Sequence, residues 1–457
     1  MSAASTRGRL RPEGLTGNVL ETAVGRAWRG LAGSRQLQLA LLAVFAVGWV
    51  TNLVRTLNDP RIGGLFRWIG VDFGFYLEQV GEFVHGTVGG LYSLAAEAPF
   101  RSALAAWSST PNVALPVGPT PYPSIFAWLL QPLGGLSPAL AFAIWTGLNL
   151  VAALVLAWRA ATFFPPERRL LVGILALVPT AVILSIWFGQ AQLLLSIAVG
   201  EAFVAFTRGR DRLGGLWLGL LIFKPQYLLL MLPILLWKRR WGAIAGFAIA
   251  SMVIVGASAV VAGPSSVGGW AGSLVESATA SGGSVLAAVA PEAMVNWRSL
   301  VGAVPVELSA TVSLAIIVAL SAATVGAVLY AWRGRWDPGS ERFAGQMTLL
   351  VAGTVLAAYH SHVHGVSMIV VPLAAFLASR VSRDRIGRAL NRAIRVDVAL
   401  AIVMPWLWFA VLDRGHVTAN RMVAIALAVG FVLLFALLEL HRAPAVDPAP
   451  APALAPA

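Results

Sequence analysis

Asp72 is the acidic residue of this sequence best placed for chemistry. It is close in sequence to four aromatic residues, Trp68, Phe73, Phe75 and Tyr76. A carboxyl group in partly apolar surroundings has a raised pKa and can act as a general base. The alternative roles are a solvated carboxylate or a helix cap. Four other acids occupy the same segment: Asp59, Glu78, Glu82 and Glu97.

Lys224 is one of only two lysines, and the other, Lys238, stands in a basic turn. Lys224 precedes Pro225 between two apolar runs of about a dozen residues, which are short for a membrane core of ~30 Å. The pattern predicts a broken helix that holds the ammonium below the membrane surface, where a cation is costly and indicates function. We expect an anionic partner such as a phosphate; the alternative is a side chain that reaches the lipid headgroups.

Three of the six histidines, His360, His362 and His364, lie within five residues. On a helix, His360 and His364 would share a face while His362 points elsewhere. A pair spaced in this way can bind metal, but the glutamate of the H-E-x-x-H motif is absent. Hydrogen bonding to a phosphate is at least an equal alternative to metal binding, and the third alternative is hydrogen bonding to backbone or water at the membrane interface. The chain has no cysteine and no D-x-D pair, which also weakens the case for a metal site.

Further polar residues occur at other turns between apolar runs. Gln190 and Gln192 flank one such turn, where an amide can bind a sugar hydroxyl or cap the turn. Asn296 and Arg298 lie in a later loop, where the arginine can bind a phosphate or a lipid headgroup. One acid, one buried cation, clustered histidines and amides together suit a lipid-linked anionic substrate that carries a polyhydroxyl group.

The elements that must position these residues are hydrophobic helices. The chain is 58% hydrophobic and 12% charged, with a mean hydropathy of +0.78, whereas soluble domains carry roughly 25% charged residues. Repeated apolar runs predict an all-α polytopic membrane protein with about 12 transmembrane helices. The twelve runs are approximately 37–53, 138–158, 170–187, 191–206, 213–223, 226–237, 243–262, 308–331, 346–359, 365–379, 396–411 and 422–440.

The basic residues predict the orientation of these helices. If the N-terminus is cytoplasmic, 25 of the 33 lysines and arginines lie in cytoplasmic tails and loops, in agreement with the excess of positive charge on that side of membranes. Because the net charge of +13 is explained by these short loops, a nucleic-acid partner is not expected. We predict a multi-pass plasma-membrane protein with both termini in the cytoplasm and with Asp72, Lys224 and the histidines on the extracytoplasmic face.

The predicted organisation has three parts. Residues 1–36 form a cytoplasmic tail, residues 37–442 form the transmembrane domain, and the Ala/Pro-rich residues 443–457 form a disordered tail. The domain contains a long first extracytoplasmic loop, 54–137, with juxtamembrane helices, and a second large outer loop, 263–307. The apolar segment Ser124–Leu136 is short and interrupted by Pro132, so we interpret it as a juxtamembrane or re-entrant helix, with an ordinary span as the alternative.

The order of these motifs resembles glycosyltransferase family 87, the polyprenol-phosphate-mannose-dependent mannosyltransferases. Asp72-Phe73 with Tyr76 resembles the family's first-loop acid followed by aromatics. Tyr122 lies in Pro121-Tyr122-Pro123-Ser124, which resembles the family's Tyr-Pro-Pro motif with serine in place of the second proline. The other matching elements are Gly189-Gln190-Ala191-Gln192, Lys224-Pro225, Arg239-Arg240-Trp241, Asn296 with Ser299-Leu300, and His360–His364.

This resemblance implies a GT-C fold and an inverting transfer of a sugar, most often mannose, from a polyprenyl monophosphate to a glycolipid or glycan. It implies Asp72 as the catalytic base. The donor phosphate would be bound by Lys224, His360, His362, His364, Arg298 and Arg61. The sugar or acceptor would be bound by Gln190, Tyr76, Tyr122 and Asn296. No cofactor is expected, although the sequence does not exclude a divalent metal.

Three alternatives stay open at this point. Related family members use a polyprenyl-phosphate arabinose donor, so an arabinofuranosyltransferase is one. A twelve-span secondary transporter also has intramembrane Lys and His residues and broken helices, although no internal repeat relates the two halves of this chain. The third alternative is a structural or lipid-binding membrane protein without catalysis.

Overall fold

The computed structural model describes residues 33–58, 69–92, 122–279 and 294–379, together with residues 30, 429 and 430 and without residues 303 and 305. Within these ranges the chain forms α-helices and 3₁₀ turns, and Met294 and His362 form an isolated β-bridge. The helices are α1 (Arg35–Asn58), α2 (Val71–Val84), α3 (Ser124–Leu130), α4 (Pro138–Ala161), α5 (Pro166–Leu177), α6 (Thr180–Phe188), α7 (Gln192–Thr207), α8 (Asp211–Gly219), α9 (Met231–Trp237), α10 (Trp241–Ala262), α11 (Pro264–Thr279), α12 (Trp297–Gly302), α13 (Ala310–Ala331), α14 (Glu341–Ala357) and α15 (Val370–Ala378).

Three described helices, α4, α10 and α13, are long and apolar enough to cross a membrane. The pair α5 and α6 passes the same test as one span that is bent by 55°. Pro179 immediately precedes α6, and a proline inside a helical run breaks the backbone hydrogen bonding. The apolar faces of the three long helices are largely exposed, with Leu148, Val260 and Leu314 as examples, as expected for helices that face lipid. The chain is therefore a membrane protein.

The number of spans stays a prediction. Ten of the twelve apolar runs coincide with described helices, but several of these helices are short, and the runs 396–411 and 422–440 lie outside the described residues. The segment Ser124–Leu136 forms α3 and a 3₁₀ turn that ends at Leu133. These ten residues rise about 15 Å, about half of the ~30 Å membrane core. The tails 1–36 and 443–457 and much of the two large loops lie largely outside the described residues.

Helix α7 forms the centre of the bundle. Twelve of its sixteen residues are buried, which is typical of a helix that is apolar on every face. It packs against α4, α8 and α15 and against the 3₁₀ turn Val363–Ile369. The Ser196 hydroxyl is 2.7 Å from the Ser367 hydroxyl, which joins α7 to that turn. The central helix thereby fixes the turn that carries His364.

The segment from α8 to α9 is a hairpin with Lys224 at its tip. Asp211 at the start of α8 pairs with Arg240 just after α9, so the two ends of the segment meet. The 3₁₀ turns Leu220–Phe223 and Pro225–Leu228 replace regular helix on the two sides of Lys224. This is the predicted interruption, and it places the lysine at the end of the hairpin opposite the basic loops.

Close packing between α8 and α10 holds the hairpin. A Cβ atom added at Gly215 would overlap the Ala243 carbonyl, and one added at Gly246 would overlap the Arg212 carbonyl. Glycine at these positions lets the two backbones approach directly, a packing mode that membrane helices use because burial from water contributes little inside lipid. The position of Lys224 therefore depends on these helix contacts.

The basic loops gather at one end of the molecule. Lys238 Nζ donates to the Gly334 carbonyl oxygen at 2.8 Å, and the Arg240 guanidinium lies 5.5 Å from the centre of the Trp336 ring. The loops at 208–212, 238–240 and 333–336 thus share one face. This arrangement agrees with the sequence pattern, and the assignment of that face to the cytoplasm stays a prediction.

Candidate functional site

Two glycines bring the start of α2 against the turn between α6 and α7. Gly70 and Gly189 both have positive φ, +72° and +73°, which residues with a Cβ atom rarely adopt. A Cβ atom at Gly189 would lie 2.6 Å from Phe73 Cβ, and the Gly70 amide donates to the Trp187 carbonyl at 2.8 Å. The two chain segments are therefore in direct contact, and Asp72 in the first turn of α2 lies beside Gln190.

The side chain of Gln190 connects the acid to the lysine. Its Oε1 atom accepts hydrogen bonds from Lys224 Nζ at 2.9 Å, Tyr76 Oη at 3.1 Å and Tyr122 Oη at 3.4 Å. With this oxygen held by donors, the amide nitrogen is directed to Asp72, with which Gln190 also forms a hydrogen bond. A single amide therefore separates the carboxyl group from the ammonium group.

Asp72 has the electrostatic character expected of a base. Burial raises the pKa of its carboxyl group from 3.8 to about 6, while the hydrogen bond from Gln190 and the charge of Lys224 act in the opposite direction. Helix α2 is not among the candidate spans. A carboxyl group with this pKa is largely ionised at neutral pH and binds a proton more readily than an ordinary aspartate.

Aromatic rings pack around the helix that carries Asp72. Phe73 stacks on Trp145, with ring centres 5.7 Å apart, and Tyr76 meets Phe126 edge to face at 4.9 Å. The Trp145 indole donates to the Gly189 carbonyl at 2.7 Å and so supports the turn that carries Gln190. These rings belong to the buried cluster that packs around α2, and burial is the main cause of the raised pKa of the Asp72 carboxyl group.

Lys224 is held by three polar side chains. In addition to Gln190, its Nζ atom donates to Gln192 Oε1 at 3.2 Å and lies 3.4 Å from His364 Nε2. Among the described residues no carboxylate pairs with it. Two buried atoms beside it, Gln192 Nε2 and His364 Nδ1, have no hydrogen-bond partner in the described part of the chain. The group therefore offers one cation and further hydrogen-bonding atoms to an anion.

The histidines continue from Lys224 in a row. The rings of His364 and His362 stack with centres 5.2 Å apart, and the Nε2 atoms of His362 and His360 are 2.9 Å apart. Burial and the charges of Lys224 and Arg298 lower the pKa of His360 to about 4, so this ring is neutral at pH 7. Within the described ranges, no three side chains surround a point in the manner of metal ligands.

His360 and His364 do not share a helix face, contrary to the helical expectation. The backbone at His360 is irregular, and His362 is extended in the bridge to Met294. The extended backbone allows all three rings to line up, whereas a helix would have turned the middle ring away.

Asn296 stabilises the backbone that leads into the histidine segment. Its side-chain nitrogen donates to the carbonyl oxygens of Ala358 and Tyr359 at 3.0 and 2.9 Å, and its oxygen accepts from the Ser299 amide at 3.2 Å. The Val295 amide donates to the Ser361 carbonyl at 2.7 Å. Because these contacts occupy both ends of the buried amide, Asn296 holds the loop in place instead of pointing at the lysine.

Arg298 lies at the far end of the histidine row. Its guanidinium carbon lies 4.1 Å from the centre of the Tyr359 ring, a cation–π distance. Arg61 lies outside the described residues. The structure therefore brings together Asp72, Tyr76, Tyr122, Gln190, Lys224 and the three histidines, with Arg298 beside His360.

Two further residues of the candidate site were only weakly indicated by the sequence. Gln192 contacts Lys224 directly, and its spacing of two residues from Gln190 in an apolar turn was the available signal. Trp145 of α4 supports the Gly189 turn through a contact across 44 positions of the sequence, which local patterns do not indicate.

Comparison with known proteins supports the resemblance seen in the sequence. The model of glycosyltransferase family 87 matches residues 120–359, more than half of the 457 residues. The match contains Tyr122, Gln190 and Lys224, and the geometry adds Asp72 and the histidines from outside it. No curated protein and no solved structure shows a significant match. The chain belongs to glycosyltransferase family 87 and is a membrane glycosyltransferase.

Proposed function

We propose that this protein transfers a sugar, most often mannose in this family, from a polyprenyl monophosphate to a hydroxyl group of a glycolipid or glycan, with inversion. The observation that carries the proposal is the contact series from Asp72 through Gln190 to Lys224. A base and a cation separated by one amide fit a reaction that removes a proton at one end and releases an anion at the other.

In the proposed reaction, Asp72 takes the proton of the acceptor hydroxyl. The acceptor oxygen then attacks the anomeric carbon, and the bond from that carbon to the phosphate oxygen breaks with its electron pair on the phosphate. Attack from the face opposite the phosphate converts a β-linked donor into an α-linked product. Positioning and charge stabilisation supply most of the rate in such a reaction.

Lys224 is the charge that would stabilise the leaving phosphate. Its three polar contacts are to amide and imidazole groups, and no described carboxylate forms an ion pair with it. His360 is neutral at pH 7 and would take part through hydrogen bonds. The proposal requires no metal, because the ammonium and the imidazoles can take the role that a divalent cation has in other transferases.

Gln190, Tyr76 and Tyr122 would position the base and border the sugar site. Both tyrosine hydroxyls donate to Gln190, and the Ala191 amide donates to Tyr76 Oη at 3.3 Å. Asn296 would act through the histidine loop, which it holds. We further propose that the site faces the outside of the plasma membrane, on the evidence of the basic loops at the opposite end.

Purified protein supplied with a radiolabelled polyprenyl-phosphate sugar tests the proposal. The enzyme is expected to release polyprenyl phosphate and to label a glycolipid acceptor. A donor set with mannose and arabinofuranose identifies the sugar. Binding of the donor without transfer to any acceptor would favour a lipid-binding protein, and vesicle uptake of a solute without transfer would favour a transporter.

A further inference from the structure

The start of α3 is hydrogen-bonded to the corner between α10 and α11, residues 258–266. The Ser124 hydroxyl lies 3.2 Å from the Ser266 hydroxyl and 3.2 Å from the Ser258 carbonyl oxygen, and it can donate to either. The Ile125 amide donates to the Ser258 hydroxyl at 3.3 Å. The three serines are at most 6% exposed, and a buried hydroxyl that loses its partner is costly.

The corner has a backbone shape that requires glycine. Gly263, between the two helices, has a φ of +81° and a ψ of 156°, a conformation that is essentially limited to glycine. The Ser266 hydroxyl donates to the Gly263 carbonyl at 2.7 Å, so its oxygen can accept the proton of Ser124. The corner therefore presents a fixed acceptor to the start of α3.

Tyr92 holds the same stretch of chain from α11. Its hydroxyl donates to the Tyr122 carbonyl oxygen at 2.6 Å. Its ring packs directly on α11, where a Cβ atom added at Gly269 would lie 2.9 Å from the ring. The backbone of Tyr122 is therefore held through Tyr92 and, two residues later, through Ser124.

The side chain of Tyr122 connects this stretch to the candidate site. Its hydroxyl lies 3.2 Å from the Tyr76 hydroxyl and 3.4 Å from Gln190 Oε1, and its ring centre is 5.8 Å from Lys224 Nζ. A shift of the Tyr122 backbone would move a donor away from the amide that contacts both the base and the lysine. Small misplacements of this kind are costly in rate.

Ser124 stands where the Tyr-Pro-Pro motif has its second proline. It is the first residue of α3, a position at which proline is common in helices, so helix geometry alone does not require a serine. A proline has no hydroxyl and could not form the contacts to Ser258 and Ser266. The buried hydroxyl is therefore a feature of this chain that the motif does not supply.

We propose that Ser124 and Tyr92 are positioning residues, which together hold Tyr122 against the α10–α11 corner and so keep its hydroxyl at Gln190. The inference rests on the proposed function, because Tyr122 and Gln190 border the site of that reaction. It adds the part of the molecule formed by α10 and α11, which carries none of the reacting groups.

An engineered disulfide tests the contact at the corner, because the chain has no cysteine. Ser124→Cys with Ser266→Cys replaces two hydroxyls that are 3.2 Å apart, and this pair is expected to form a disulfide on mild oxidation. Ser124→Cys with Ser265→Cys is the control, since Ser265 is the exposed neighbour of Ser266. Free thiols are counted from the mass added by a maleimide. Equal disulfide yields in the two pairs, or none in either, would overturn the contact.

Rescue by this disulfide tests the positioning role, with kcat/KM measured well below the melting temperature of each variant. Ser124→Ala is expected to lower kcat/KM about 2- to 10-fold, the usual contribution of one hydrogen bond. The control Thr348→Val removes a buried hydroxyl that is bonded within α14 and should leave kcat/KM unchanged. The reduced pair of Ser124→Cys with Ser266→Cys should resemble Ser124→Ala, and its oxidised form should return close to the wild-type rate. A disulfide that forms without restoring the rate would overturn the positioning role.

A fluorine probe at Tyr122 tests the same role without catalysis. Fluorotyrosine is incorporated at this position in the full-length protein, and its fluorine NMR spectrum is recorded without substrate. Ser124→Ala and Tyr92→Phe are each expected to shift or broaden the signal, whereas Tyr330→Phe, beside Arg333 among the basic loops, should not. A signal that the first two variants leave unchanged, or that Tyr330→Phe changes as much, would refute the proposal. If the wild type transfers no sugar, the proposed function fails, while the fluorine signal still decides how Tyr122 is held.

Discussion

The pH dependence of transfer gives a quantitative test of the environment of Asp72. A base acts only when it is ionised, so kcat/KM should rise with pH through the pKa of this carboxyl group. With a pKa of about 6, about nine-tenths of the protein is ionised at pH 7 and about one-tenth at pH 5. The expected result is a roughly tenfold fall in kcat/KM between these two values.

An ordinary aspartate would behave differently over the same range. With a pKa of 3.8, more than about nine-tenths of the groups stay ionised at pH 5, so the rate would hardly change. The proposed donor is a phosphodiester, which keeps its single charge from pH 5 to pH 7 and adds no titration of its own. The difference between a tenfold fall and almost none comes from the burial of Asp72, which outweighs the opposing effects of Gln190 and Lys224.

The assay is the initial rate of polyprenyl phosphate release at subsaturating donor, in detergent or nanodiscs, from pH 5 to pH 8. Thermal unfolding at each pH and recovery of activity after return to pH 7 control for loss of the folded protein. A kcat/KM that stays constant down to pH 5, with the protein still folded, would refute the inference that burial raises the pKa of Asp72.

Three further predictions concern the groups around the base. Lys224→Met removes a charge-assisted contact of about 1.5–3 kcal/mol and should weaken donor binding roughly 10- to 100-fold. The control Lys238→Met, among the basic loops at the opposite end of the molecule, should leave donor binding unchanged. Equal donor affinities for the two variants would contradict the phosphate role of Lys224. Gln190→Leu removes a hydrogen bond that lowers the pKa of Asp72, so the acid limb of the kcat/KM profile should move to higher pH. The control Gln192→Leu should leave that limb in place. A change in KM alone for Gln190→Leu would indicate sugar binding instead. Gly215→Ala should lower the melting temperature, at a cost of about 1–3 kcal/mol for overpacking, although the same change usually stabilises a helix; unchanged melting would show that the two helices separate easily.

Local sequence features predicted much of the site. The apolar runs indicated the helices, and the interruption at Lys224 predicted a broken segment that the structure contains as two 3₁₀ turns. The aromatic residues around Asp72 indicated partly apolar surroundings, and the pKa of about 6 follows from that environment. These features depend on neighbouring residues, so they are visible in a single sequence.

Long-range contacts could not be predicted in the same way. The role of Gln190 depends on α2 meeting the α6–α7 turn, a contact between residues more than a hundred positions apart. The helical interpretation of His360–His364 failed because the bridge to Met294 extends the backbone, and nothing in the local sequence signals that bridge. The span count depends on how short helices pair and on residues 396–411 and 422–440, which lie outside the described ranges.

Asp72→Asn tests the central claim most directly, because asparagine keeps the shape of the side chain and removes the base. The measurement is single-turnover transfer from a labelled polyprenyl-phosphate sugar, alongside the dissociation constant of the donor for the same protein. We expect transfer to fall by about 10²- to 10⁴-fold, the usual contribution of a general base, while donor affinity stays within a few-fold of wild type. Transfer at a near-wild-type rate by Asp72→Asn would contradict the account.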